Sequence, residues 1–261
     1  SYCPTGKGKR TRIKARSRTT HFKGAHMRHV LIGLGGIGSH LVEPLCRFIA
    51  LSCNQEQEKH IVLIDGDAYE EKNRVRQKFE TFGNKAEVTK KWLTPLFPEL
   101  TIEAKARFVD PENIYLFVKD GDHVFMGVDN HATRKIVSEH VETLKNALLI
   151  SGGNELTDGN VQIFERRKGA VVLPPLTAFH PEIAEPADRN PAELSCEELA
   201  KLPSGRQLIA VNFMIAALML NAYTLWTMKQ KEQSLPYMET YFDLLTGNAR
   251  VVNLKERSWN A

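Results

Sequence analysis

Gly33-Leu34-Gly35-Gly36-Ile37-Gly38 follows a short β-branched run and precedes an amphipathic stretch. A glycine turn there lets backbone N–H groups and a helix N-terminus approach a phosphate closely. Asp65 ends the next apolar run, 27 residues after Gly38, where a carboxylate can accept hydrogen bonds from both hydroxyls of a ribose. These two features suit nicotinamide, flavin, methionine-derived and adenine nucleotide cofactors alike. The residues that discriminate come next. Asn73-Arg74-Val75-Arg76-Gln77 begins eight residues after Asp65, Lys85 opens the following helix, and Asp129-Asn130 with Arg134 follows a later strand. Hydride transfer needs an apolar slot for nicotinamide. Triphosphate cleavage needs two cations, an amide and a carboxylate able to hold Mg²⁺, which Arg76, Lys85, Asn73 and Asp129 supply. For each of these residues the plain alternative is a surface ion pair, and for Asp67 a solvated loop or a helix cap. Arg134 divides evenly between structure and site.

The elements that would hold these residues alternate. Strands are expected at 29–32, 60–64, 101–109, 123–128 and 147–150, and helices at 39–53, 85–96 and 131–144. Strands separated by helices of this length imply an α/β fold with a mostly parallel, Rossmann-like sheet and right-handed crossovers. Ligands of such sheets sit at the C-terminal ends of the strands. After Ser151-Gly152-Gly153 the pattern changes to a β-ribbon (161–164 and 170–173). A Pro-rich, acid-rich loop follows at about 174–205, then an apolar helix from about Arg206, then a hairpin (241–245 and 250–254).

Charge is unevenly spread. The first 29 residues carry nine Lys or Arg and no acid, leaving 26 basic against 31 acidic residues for the rest. A mildly acidic body thus wears a basic arm, residues 1–26, expected to be flexible. The arm reads either as a solvated tail or as a strip for a partner; nucleic acid is not favoured. Cys3, Cys46, Cys53 and Cys196 are scattered, without zinc-knuckle spacing. No apolar N-terminal stretch reads as a signal peptide, so a cytoplasmic setting is expected. The uncharged run Leu208 to Met228 is long enough to span a bilayer. Asn212 and Asn221 interrupt it, and a buried helix is the better reading.

In combination, Gly-Leu-Gly-Gly-Ile-Gly, Asp65 through Asn73-x-x-Arg76-Gln77, Lys85 and Asp129-Asn130-x-x-x-Arg134 make the chain resemble the ThiF/MoeB/HesA superfamily, the fold of ubiquitin-activating enzymes. The match runs from about residue 28 to 160. Ser151-Gly152-Gly153-Asn154-Glu155, Ser195-Cys196 and Arg206-Gln207 further resemble ThiF-type proteins of bacterial operons that encode ubiquitin-like and conjugating-enzyme-like partners, such as the PRTRC system.

The resemblance implies an adenylation domain over 27–261. In it Gly33, Gly35, Gly36 and Gly38 pass close to ATP, and Asp65 holds the ribose. Asn73, Arg76 and Lys85 bind phosphates, Gln77 shapes the same pocket, and Asp129 holds Mg²⁺. It implies ATP-dependent adenylation of the C-terminal carboxylate of a ubiquitin-like protein, and a homodimer paired through the apolar helix and hairpin. Cys196 lies in the loop where activating enzymes carry a thioester cysteine, with His180 as a base from across the loop. Acidic neighbours oppose a thiolate there, and Ser195 with Glu198 equally reads as a helix-capping box. Two family features are absent: a paired Cys-x-x-Cys zinc set, and an Arg-Tyr-x-Arg-Gln segment that lends an arginine to the partner protomer. Arg16, Arg18 or Arg28 could stand in for the latter. Two readings stay open beside this one, a nicotinamide-dependent oxidoreductase and a nucleotide-binding adaptor without turnover.

Overall fold

The structure, a computed structural model, describes residues 27–52, 59–195, 198–199, 207–229 and 234–256. The basic arm with Cys3, Arg16 and Arg18, and also Cys53, Cys196 and Arg206, lie outside the described residues. In chain order the strands are β1 (Met27–Ile32), β2 (Lys59–Ile64), β3 (Ala68–Tyr69), β4 (Gly83–Asn84), β5 (Thr101–Lys105) and β6 (His123–Met126). There follow β7 (Ala147–Asn154), β8 (Asp158–Arg167), β9 (Ala170–Leu173), β10 (Glu239–Asp243) and β11 (Asn248–Val252). The helices are α1 (Gly36–Ser52), α2 (Lys85–Leu96), α3 (Ile114–Phe117), α4 (His131–Thr143), α5 (Pro181–Ala184) and a 20-residue α6 (Ile209–Met228).

One sheet runs in the order β5-β2-β1-β6-β7-β8-β10-β11, with β9 paired to β8. The pairs from β5 through β7 are parallel, as strand–helix alternation demands. The expected β-ribbon and hairpin are part of this same sheet. β8 turns back antiparallel on β7 over eight residue pairs, and β10 and β11 continue it antiparallel. Tight turns explain the returns of β8 on β7 and of β11 on β10, since an antiparallel return needs no crossover helix, whereas β10 reaches β8 only after the long 174–229 segment.

Boundaries moved where local chemistry intervened. β5 stops at Lys105 rather than residue 109, because its partner β2 ends at Ile64, which pairs with Lys105; Asp110 then turns the chain by accepting from the N–H groups of Glu112 and Asn113 (2.8 Å each). α2 keeps its expected span although Pro95 lies in its last turn, and Asn84 caps its start by accepting from Ala86 and Glu87. The hairpin strands lie two residues earlier than expected. Residues 174–195 carry short 3₁₀ turns and α5, and are fastened to the sheet rather than loose. Asp188 accepts from the N–H groups of His131 and Ala132 (2.7 and 2.8 Å), so its carboxylate sits on the N-terminus of α4.

Apolar layers cover both faces of the sheet. Leu31, Leu63, Phe125 and Ile150 face α1, α2 and α6, while Val30, Val62, Val124 and Leu149 face α3 and α4. α6 is long and apolar enough to cross a membrane, yet it lies against α1, β7 and β8. Val211, Asn212, Ile215, Met219 and Tyr223 are buried there, and Phe213, Met214 and Met228 are exposed. The expected buried helix is therefore buried on one face only. Cys46 is buried in α1 as a packing residue, where burial pushes its thiol up to about 12.

Candidate functional site

The strand order reverses beside β1, and a cleft of about 620 Å³ opens at the C-terminal ends of the parallel strands. Gly33, Gly35, Gly36, Asp65, Asn73, Arg76, Gln77, Lys85, Asp129 and Arg134 all line it. Gly38 does not. A Cβ on Gly38 would overlap the carbonyl oxygen of Gly33, so this glycine serves the close fit of α1 beneath the turn. Gly33 has φ +87°, and a Cβ there would press on Val128 and Gly127.

Asp65 is fixed by two backbone donors, Leu34 N at 2.6 Å and Asp67 N at 2.8 Å. Burial raises its pKa above the usual carboxylate range, against the opposing pull of Lys85 and these N–H groups. Lys85 is only 6% exposed and donates to Asp67 Oδ2 at 2.5 Å. Burial alone would lower its pKa, but the charges of Asp65, Asp67 and Asp129 outweigh it and hold the ammonium protonated. Asp67, read from the sequence as a loop residue or cap, is thus the partner of the buried cation.

Asn73 is buried at the end of a 3₁₀ turn, its Oδ1 accepting from Glu70 N at 2.8 Å. Its carbonyl accepts from both Arg76 N and Gln77 N (3.0 and 2.9 Å), which aims the two side chains. The Arg76 guanidinium donates to Gln207 Oε1 at 2.7 Å. Gln77 is buried, and its Oε1 has no partner among the described residues. Asp129 is exposed in the cleft and makes no hydrogen bond or ion pair to a described residue.

Arg134 settles toward structure. Buried against the floor, it donates to Val128 O (2.7 Å), Gly152 O (2.8 Å) and Ser151 Oγ (3.1 Å), tying β6 to β7. Burial lowers its pKa to about 10, still charged at neutral pH. Arg28 is spent elsewhere, on Asp122 at 2.6 Å and Phe117 O at 2.8 Å, so it does not stand in for the missing arginine. It sits at the start of β1, the end opposite the cleft.

His180 lies between two carboxylates, Glu182 Oε1 and Glu239 Oε1, at 2.8 Å each. Burial opposes its charge, yet the two hydrogen bonds and carboxylates raise its pKa overall. An imidazole engaged on both nitrogens is a clasp between the 174–195 segment and β10, not a free base. Ser195 and Glu198 form the capping box: Ser195 N donates to Glu198 Oε2 (2.8 Å) and Glu198 N to Ser195 Oγ (3.3 Å).

Sequence reasoning missed several wall residues. Phe108 lies directly over Gly66, which has room for no Cβ, and with Ile32, Ile64, Val109 and Ile183 it gives the cleft an apolar end. On the far side Asn154, Glu155, Asp158, Asn160, Gln162 and Tyr241 extend it as a polar channel along β8 and β10. Gly66 directly after Asp65 was the available signal; nothing local marked the channel.

A doubly wound sheet with a glycine turn, a ribose-type carboxylate and paired cations in one cleft defines a nucleotide-binding α/β protein. The chain belongs to the ThiF family, whose model matches residues 18–260. That match reaches far beyond the stretch, 28–160, on which the resemblance rested. No curated protein matches the sequence. Among solved structures it is similar to Escherichia coli MccB with ATP, at 19% identity and TM-score 0.62, over 87% of this chain and 62% of that one. The microcin C7 biosynthetic enzyme MccB in complex with N-formylated MccA matches at 20% identity and TM-score 0.62, over 87% and 64%. PaaA matches at 16% identity and TM-score 0.61, over 86% and 62%. The chain spans less than two thirds of the length of these structures, and the likeness establishes the fold.

Proposed function

We propose that the protein binds Mg·ATP in this cleft and adenylates the C-terminal carboxylate of a peptide or small protein, releasing pyrophosphate. The observation that carries the reading is that Arg76, Lys85 and Asp129 share one cavity with the glycine turn. An incoming carboxylate must meet an α-phosphate that is already anionic. Its oxygen forms a bond to that phosphorus as the bond to the bridging oxygen of pyrophosphate breaks. Arg76 and Lys85 offset the repulsion and stabilise charge on the departing group. The apolar end at Phe108 suits adenine, Asp65 suits the ribose, and the polar channel suits an extended tail.

Mg²⁺ fits the residues present. The described residues hold no cluster of three or more metal ligands, and Asp129 offers one unpartnered carboxylate. A cation held by one carboxylate, phosphate oxygens and water is the usual magnesium arrangement in nucleotide sites. Bound there, it would screen the phosphates.

The finer reading is a ubiquitin-like substrate in a bacterial, cytoplasmic setting of the PRTRC kind, with a conjugating-enzyme-like partner downstream. It rests on the motifs around residues 151–155, 195–196 and 206–207. A homodimer would cover the exposed side of α6, where Leu208, Ile209, Phe213 and Met214 face outward. A thioester on Cys196 is a further step, and the capping box beside it favours a structural turn instead.

Pyrophosphate exchange into ATP, dependent on a candidate acyl substrate, tests the reaction. Exchange with a ubiquitin-like protein from a neighbouring gene supports the full reading; ATP binding without exchange from any neighbour supports the adaptor. A thermal shift with NAD but none with Mg·ATP would return the oxidoreductase. Cys196→Ala that keeps exchange and also keeps a thiol-sensitive conjugate rejects the thioester.

A further inference from the structure

Asn212 interrupts an otherwise apolar run, and the adenylation reading gives it no task. In the structure it is completely buried in the first turn of α6. Its Nδ2 donates to the carbonyl oxygen of Arg76 at 3.2 Å, and its Oδ1 accepts from Asn154 Nδ2 at 2.9 Å. A carbonyl can only accept, so the amide orientation is fixed by its partners. The same Arg76 carbonyl accepts from His40 Nε2 at 3.1 Å. That assigns the proton of neutral His40 to Nε2, leaving Nδ1, which has no partner among the described residues, bare. The Phe213 ring lies 4.0 Å from the His40 ring and keeps water from it. One residue before α6 proper begins its cap, Gln207 takes the Arg76 guanidinium itself.

Arg76 is therefore held at its carbonyl by His40 of α1 and Asn212 of α6, and at its guanidinium by Gln207 just before α6, none of them a charged side chain. The grip is close: a Cβ on Gly36 would fall 2.6 Å from both Asn212 Nδ2 and Gln207 Oε1. The glycine turn, the Arg76 loop and the start of α6 are thus packed directly on one another. A long exposed arginine loses much side-chain freedom when it clamps a phosphate, and anchoring it beforehand lowers that cost.

We propose that Asn212 and Gln207, with His40, are positioning residues that set Arg76 against the nucleotide phosphates, so that α6 belongs to the phosphate-binding machinery. This rests on the reading of the cleft as an ATP site. Asn154, at the head of the polar channel, extends the same chain toward the channel.

The test is a double-mutant cycle on Mg·ATP affinity measured by calorimetry without acyl substrate. Arg76→Ala is expected to weaken binding about 30-fold and Asn212→Leu about fivefold, from the usual worth of charged and neutral hydrogen bonds. In the Arg76→Ala background, Asn212→Leu should change affinity by less than about twofold, because there is no guanidinium left to place. Gln207→Ala, at the half-exposed start of the helix, provides the same cycle should Asn212→Leu fail to fold, with a loss of about threefold that vanishes without Arg76. Equal losses with and without the Arg76 side chain would mean the two residues act through the fold alone, and would overturn the positioning role while leaving the ATP site standing. An Arg76→Ala variant that binds Mg·ATP as tightly as the parent would instead remove the phosphate role of Arg76, and this inference with it.

Discussion

Replacing Lys85 with Met keeps most of the buried stem and removes only the charge. The structure separates the consequences. Lys85 Nζ meets Asp67 at 2.5 Å, but the Asp67 side chain is 55% exposed, so water takes over the stranded carboxylate. That pair alone is worth little, but Lys85 is buried and also offsets the burial of Asp65, so its loss costs more than the ~0–1 kcal/mol of an exposed pair and the melting temperature should fall by several degrees with the fold retained. The reacting centre has no such reserve. On the proposed ATP reading, Lys85→Met would leave the carboxylates of Asp65, Asp67 and Asp129 in the cleft with Arg76 as the remaining cation from this set to offset phosphate charge. Losing one preorganised electrostatic group of this kind costs about 3–4 kcal/mol, or 10²–10³ in rate. Pyrophosphate exchange should fall by that factor, and the thermal shift with Mg·ATP should shrink. A second signature follows from Asp65, whose carboxyl Lys85 now holds down against burial. In Lys85→Met that carboxyl titrates higher, so nucleotide affinity should fade at a higher pH on acidification than in the parent. Exchange within about threefold of the parent would refute the argument that this ammonium is placed for charge developing on phosphate.

Asp129→Asn should leave the fold intact, since the carboxylate supports no described hydrogen bond, and should raise the Mg²⁺ concentration needed for half-maximal nucleotide binding; an unchanged magnesium titration would remove it as a ligand. The two glycines of the turn should respond differently. Gly35→Ala has open space, the nearest atom being Gln77 Nε2 at 3.9 Å, so it should fold normally and lose nucleotide affinity. Gly38→Ala, where a Cβ meets the Gly33 carbonyl, should lower the melting temperature sharply or yield insoluble protein. His180 has its pKa raised in the folded state, so its clasp contributes fully below the unfolded value near 6.5 and is lost as pH rises through the folded one. The melting temperature of the parent should accordingly fall more steeply above that pH than that of His180→Gln; parallel curves would show the clasp contributes no pH-dependent stability.

The parallel half of the fold is legible in the residue pattern. Alternation between a 3.6-residue and a 2-residue period, punctuated by glycine and proline, is a local signal, and β1, α1, β2, α2, β6 and α4 fall within a few residues of where it points. That pattern also pointed to Gly33, Asp65, Lys85 and Asp129 meeting, because each lies just past a strand or at the start of a helix at the same edge of one parallel sheet, with Arg76 on the connection that follows Asp65. Tertiary structure alone decided the rest. That the β10–β11 hairpin joins the same sheet depends on β10 pairing with β8, about 80 residues earlier, which no local period encodes. The same holds for side chains whose partners lie far along the chain. Asp67 became the counter-ion of Lys85, Arg134 a tie between strands, Arg28 a link to Asp122, and Asn212 a hand on Arg76, 136 residues away. A buried polar group must find a partner, but its own neighbours in sequence do not say which, since that choice is made only when helices and strands close on one another.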